Sequence, residues 1–189
     1  MTPLRTPDNC FDNLQDYPYS PHYLQLDDTE GGELRMHYID EGPKTAPVIL
    51  LMHGEPTWSY LYRHMISPLA AAGYRVIAPS ERRDYTYQRH VDWVRSLLEQ
   101  LNLQNISLFC QDWGGLIGLR LLAEEPARFS RTIAANTMLP TGDHHPGEAF
   151  IEWQKLSQNI PVFTVGKIIA GACAKPVSAE TIKAYDAPF

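Results

Sequence analysis

Apolar and polar positions follow two periods along this chain. His22 to Leu26 and Leu34 to Asp40 alternate, as strands do when one face is buried, and Thr29-Glu30-Gly31-Gly32 between them supplies a glycine-bearing hairpin turn. Pro47 to Met52 carries instead a continuous apolar run (Val-Ile-Leu-Leu-Met), expected of a strand covered on both faces. Trp58 to Ala72 resumes at helical spacing and closes at Gly73, with Pro68 inside it marking a kink or a break. Tyr74 to Pro79 reads as a short strand, and Tyr87, Val91, Val94, Leu98 and Leu101 line one face of a helix. A strand over 106–110, a helix over 115–124 ended by Pro126, and a strand over 131–136 follow. The first 21 residues, rich in Pro, Asn, Asp and Tyr, predict an irregular arm laid on the surface.

Two antiparallel strands followed by alternating strands and helices predict an α/β fold, with a mostly parallel sheet and helices on both faces. Residues 1–136 form this core. From Thr137 the pattern changes. Pro140 to Gly147 is a loop, 149–158 is a helix candidate, Phe163 to Ile169 is ambiguous between strand and helix, and Ser178 caps a last helix with Glu180 in its first turn. Residues 137–189 therefore read as a partial helical cap over the active edge of the sheet. No repeat or low-complexity tract occurs.

At 189 residues, with 44% hydrophobic and 20% charged, the chain suffices for one sizeable core. A net charge of −6 argues against a nucleic-acid partner, because phosphate binding needs a basic patch. Arg82, Arg83, Arg89 and His90 come nearest to one and read as a solvated face. Cys10, Cys110 and Cys173 are odd in number and widely spaced, which is no disulfide framework. The seven histidines show no metal-ligand spacing, and the adjacent His144 and His145 read as surface residues. Neither an apolar signal core nor a membrane-spanning run is present, so no membrane partner is expected and the cytoplasm is the default location.

Candidate chemistry concentrates in Phe109-Cys110-Gln111-Asp112-Trp113-Gly114-Gly115. An acidic residue stands here at the tight turn between a buried strand and a helix. That is the setting of a nucleophile elbow, where the side chain projects above the sheet and following backbone N–H groups can hold an anion. A serine there attacks acyl carbon; a carboxylate can attack saturated carbon and form an ester with it. The plainer alternative is that Asp112 only caps the next helix. His53-Gly54-Glu55-Pro56 follows an earlier strand, and both loops fall at carboxyl ends of strands, where open α/β sheets keep their active sites.

These two motifs together resemble the haloalkane dehalogenases of the α/β-hydrolase fold, and the resemblance runs over nearly the whole chain. Arg5-Thr6-Pro7-Asp8 and Glu55-Pro56-Thr57-Trp58-Ser59-Tyr60-Leu61-Tyr62-Arg63 are similar to the subgroup acting on small haloalkanes. The resemblance implies that Asp112 displaces halide to give an alkyl-enzyme ester, which water then hydrolyses. It implies halide binding by the indole N–H groups of Trp113 and Trp153, and an oxyanion hole from the backbone N–H groups of Glu55 and Trp113. Indole donates and does not accept, which suits an anion. The partners implied are a small halogenated alkane, water and the halide product, with no metal or organic cofactor. His53 is expected to brace its loop, Asn136 to orient a water or satisfy the backbone, and Trp58 and Trp93 to be core. Packing alone is the competing role for Trp113 and, more so, for Trp153.

The chain also departs from the family. The family's base and acid lie further downstream than Phe189, and His144 and His145 are poor substitutes. Pro79 is followed at once by Ser80-Glu81-Arg82-Arg83, where the family has an Asp and a Gly-rich loop, so that crossover is short. A complete protein would be a monomer. In this form the strand holding Ile133-Ala134-Ala135 becomes a sheet edge through which copies would associate. The expected product is a truncated dehalogenase-like hydrolase that alkylates without steady turnover. An epoxide hydrolase-like enzyme, for which Tyr185 is the one cap tyrosine, and a non-catalytic remnant or interaction module are the alternatives.

Overall fold

A computed structural model describes residues 6–28, 32–80, 86–160 and 162–189. The described chain divides into two units, one over Asp16–Leu139 and the other joining the segment ending at Gln15 to Pro140–Phe189.

The first unit is built on a six-stranded sheet. Its strands are β1 (His22–Asp28), β2 (Gly32–Glu41), β3 (Val48–Met52), β4 (Arg75–Ser80), β5 (Ile106–Gln111) and β6 (Phe129–Ala135), in the order β1-β2-β4-β3-β5-β6. β1 and β2 are antiparallel to each other and β2 to β4, whereas β4, β3, β5 and β6 run parallel. The α/β expectation holds, with helices α1 (Arg63–Ala71), α2 (Tyr87–Gln100) and α3 (Trp113–Glu124) between the strands. The apolar run of β3 is continuous because both its faces are covered. Leu50 and Met52 join Val91, Val94, Leu97 and Leu98 of α2 and Ile117 and Leu121 of α3 on one face. Leu51 joins Ile66 of α1, Tyr62, Val76 and Ala78 on the other. Trp58 and Trp93 are core, at 2% and 7% exposure. The chain leaves β3 for β4 on one side and later returns to β5 on the other, so the crevice of this sheet lies at the carboxyl ends of β3 and β5.

Two expectations need correction, one at Pro68 and one at Arg89 and His90. Of the kink or break expected at Pro68, the break does not occur there: α1 runs through it, and the break falls earlier, where a 3₁₀ turn over Ser59–Tyr62 gives way to α1. Pro68 and His64 are both exposed, so the turn at which the proline withholds an N–H faces solvent. The arm is surface-laid as expected, its described residues 6–21 being exposed or half-buried, and one of its rings is seated more firmly than the rest. Tyr17 packs its ring against Trp58 at 5.1 Å and Tyr60 at 5.5 Å and shares a 2.6 Å hydrogen bond with Ser59; burial pushes its phenol pKa up. Arg89 and His90 are half-buried on α2, with the His90 ring 5.2 Å from that of Trp93, rather than part of a solvated face. Arg82, Arg83 and the rest of the short crossover after Ser80, like the hairpin tip at Thr29, Glu30 and Gly31 and the arm residue Arg5, lie outside the described residues.

β6 is an edge strand with Ile133 at 61% exposure. The second unit holds α4 (Glu148–Asn159), α5 (Val165–Ala172) and α6 (Ala179–Asp186). The ambiguous run over Phe163 to Ile169 is thus helical from Val165. Its resolution is tertiary: the Gly166 N–H donates to Asp186 Oδ1 at 2.8 Å, tying α5 to α6. Ser178 caps α6 as expected, its hydroxyl oxygen accepting from the Thr181 N–H at 3.2 Å. His144 and His145 are exposed. Among the described residues no helix is long and apolar enough to cross a membrane.

Candidate active site

Asp112 stands between β5 and α3 with φ +50° and ψ −131°, a conformation unfavourable for any residue with a Cβ. Such a turn lifts the side chain clear of both elements. Asp112 occupies the N-cap position of α3, but its carboxylate makes no hydrogen bond to the helix it precedes. Oδ1 instead accepts from the Glu55 N–H at 2.9 Å. Simple capping is therefore not the job of this side chain.

The partner loop is shaped to permit this contact. β3 and β5 are paired neighbours, Met52 lying opposite Cys110, so residues 53–55 leave the sheet beside Asp112. A Cβ on Gly54 would come within 2.2 Å of Asp112 Oδ1, so only glycine lets the loop approach. The buried Tyr62 hydroxyl donates to the Met52 carbonyl at 2.7 Å and fixes the last residue of β3. His53 has its Nδ1 3.1 Å from the Gly54 carbonyl, consistent with bracing the loop. The Glu55–Pro56 peptide is cis.

Around Asp112 the backbone is tied on both sides. Its N–H donates to the Asn136 carbonyl at 3.2 Å, and its own carbonyl accepts from Thr137 Oγ1 at 2.7 Å and from the Gly115 N–H at 2.9 Å. Asn136 thus acts through its backbone, itself at φ +46°. Asp112 is exposed, and among the described residues no cation pairs with its carboxylate. Cys110, directly below in β5, is a poor competing nucleophile, because burial pushes its thiol pKa up to about 11.

Trp113 begins α3, where its N–H has no carbonyl one turn earlier to receive it. Its half-buried ring sits 6.4 Å from that of Tyr87, whose hydroxyl donates to the Leu116 carbonyl at 2.8 Å. Trp153 stands on α4 in the second unit, its ring 6.3 Å from Phe163. The structure thus brings Asp112, Trp113 and Glu55 together. Thr137, Tyr62 and Tyr87 are participants that sequence reasoning missed. Tyr87 shows only as one position of a helix face, and an isolated Thr after a strand carries no pattern. A cavity of about 410 Å³ lined by Asn9, Asp12, Glu180 and Lys183 lies within the second unit and holds none of these residues. Among the described residues no three His, Cys, Asp or Glu side chains converge as a metal would require.

Residues 47–171 match the family model of the alpha/beta hydrolase fold. The whole chain aligns at 58% identity with a haloalkane dehalogenase of Psychrobacter cryohalolentis, covering 66% of that protein. That alignment spans 200 positions, so the relative carries residues within the span that this chain lacks. Among solved structures, the tetrameric haloalkane dehalogenase DpaA from Paraglaciecola agarilytica NO2 superposes with a TM-score of 0.90 at 38% identity, over 100% of this chain and 67% of that one. The epoxide hydrolase VrEH1 from Vigna radiata shares the fold, with a TM-score of 0.66 at 21% identity over 89% of this chain and 67% of its own. The chain belongs to the α/β-hydrolase fold family and, within it, to the haloalkane dehalogenases. It spans about two thirds of the length of the relatives it matches.

Proposed function

We propose that this chain carries the alkylating half of haloalkane hydrolysis, with Asp112 as the nucleophile. The supporting observation is the 2.9 Å hydrogen bond from the Glu55 N–H to Asp112 Oδ1. One carboxylate oxygen is held and the other is left to attack. Oδ2 forms a bond to the carbon bearing the halogen, the carbon–halogen bond breaks, and the halide leaves with its electron pair. The product is an alkyl ester of Asp112. When water adds to the ester carbonyl, the oxyanion develops on Oδ1, where a donor already stands at the 2.7–3.1 Å that such stabilisation requires. The Trp113 N–H is the second donor in this reading.

The indole N–H of Trp113 is adjacent to the nucleophile and would receive the halide. Trp153, on α4, is assigned the same role on the family resemblance, and residues 137–189 are taken as the partial cap that carries it. A base and an acid for ester hydrolysis are not assigned among these 189 residues, so the ester is expected to persist. The substrate proposed is a small halogenated alkane, with water as co-substrate.

Incubating the full chain with a short 1-bromoalkane and measuring intact mass tests this. One alkyl group should add, map to the peptide bearing Asp112, and vanish in Asp112→Asn. Absence of labelling, or labelling that survives in Asp112→Asn, would overturn the assignment. Halide release continuing beyond one equivalent would overturn the expected stall.

A further inference from the structure

We propose that Thr137 is a positioning residue that aims the Trp113 N–H, an inference resting on the reading of Asp112 as nucleophile. The carbonyl of Asp112 and the N–H of Trp113 belong to one peptide group, which is planar and trans, so they point in opposite directions. Whatever holds the carbonyl oxygen fixes where the N–H points. Thr137 Oγ1 donates to that carbonyl at 2.7 Å, shorter than the bonds it accepts from the Gly115 N–H at 2.9 Å and the Leu116 N–H at 3.4 Å. The two amide donors belong to α3 and move with it. The Thr137 hydroxyl comes from outside α3, beyond the end of β6, and so ties the peptide to the sheet.

Two further features fit this role. The Asp112 N–H donates to Asn136, the residue before Thr137, so the segment 136–137 grips both backbone groups of the nucleophile. A Cβ on Gly115 would come within 1.9 Å of Thr137 Oγ1, so the second glycine of Trp113-Gly114-Gly115 leaves the space this hydroxyl fills. Asp112 at φ +50° has no intrinsic preference for its conformation, and an external tether is what keeps it there. Losing the hydroxyl frees the peptide to rotate. Oδ1 then keeps Glu55, while the Trp113 N–H loses the direction that the tether gives it.

The test compares Thr137→Val, isosteric without a hydroxyl, with Thr137→Ser, which retains it. Two readouts are taken on the full chain: the rate of Asp112 alkylation by a 1-bromoalkane, and hydrogen exchange of the Asp112 and Gly115 amides. Thr137→Val should alkylate about tenfold more slowly, because the loosened peptide after Asp112 lets the nucleophile itself drift out of line, and should exchange faster at both amides, with Thr137→Ser close to wild type in both. A merely structural role would not be rescued by serine in both readouts. Wild-type labelling by Thr137→Val would overturn the proposal and leave the nucleophile standing. If wild type does not label at all, the nucleophile reading fails, and unchanged amide exchange in Thr137→Val would then remove the tether as well. Faster exchange in Thr137→Val, restored by Thr137→Ser, would sustain the tether in that case.

Discussion

Asp40 and Asp112 both stand at strand ends of one sheet, and their carboxylates meet opposite surroundings. Asp40, 8% exposed, is gripped through both oxygens: Arg75 donates from Nε to Oδ1 at 2.9 Å and from Nη2 to Oδ2 at 2.7 Å, and Lys44 Nζ lies 2.6 Å from Oδ2. Burial raises its pKa, but the Arg75 and Lys44 hydrogen bonds and charges outweigh that and hold it below the usual carboxylate value. Asp112 is exposed, has no cation beside it among the described residues, and is held through one oxygen by one neutral N–H. A carboxylate with both oxygens occupied and its charge matched is a clamp between β2 and β4. A carboxylate with one oxygen anchored and the other free can attack. The two roles are set by how each oxygen is engaged, not by residue type.

The largest effect should come from crowding the anchored oxygen. Gly54→Ala puts a methyl within 2.2 Å of Asp112 Oδ1 and should slow alkylation by about a hundredfold or more, read as the rate of mass gain. Retained labelling would show that the Glu55 contact does not set the geometry. Asp40→Asn should do the converse. It leaves the guanidinium of Arg75, 11% exposed, without its charge partner and should cost about 3 kcal/mol in urea denaturation, while the folded fraction still labels at Asp112. Lys44, at 59% exposure, contributes little to that loss.

The smallest effect is a pH dependence that belongs to Asp40. Its folded pKa is depressed, so its stabilisation is present above the ordinary value of about 3.9 and is lost as pH falls through the lower folded value. The stability gap between wild type and Asp40→Asn should therefore be constant from about pH 5 to 7 and close below about pH 4. A gap that widens on acidification would contradict the clamp.

The fold was largely legible because its signals are local. The unbroken apolar run of β3, the alternation in β1 and β2, and the helix face of α2 each encode how many sides are buried. Legibility failed where distant partners decide. Pro68 sits on the exposed side of a helix that runs through it, and α5, which periodicity left open between strand and helix, is tied at Gly166 to the distant Asp186. Tyr17 reads as one residue of an irregular surface arm until its ring meets Trp58 and Tyr60.

For the site, the sequence by itself determined the residue types at the turn: an acid, an indole and two glycines between an apolar strand and a helix. Turn chemistry and periodicity are properties of neighbours along the chain. Only the tertiary structure decided that the Glu55 N–H, 57 residues away, anchors Oδ1, and that the Thr137 hydroxyl, 25 residues away, holds the Asp112 carbonyl. Those contacts depend on β5 lying between β3 and β6, and strand order is fixed by packing across the whole sheet, which no local pattern carries.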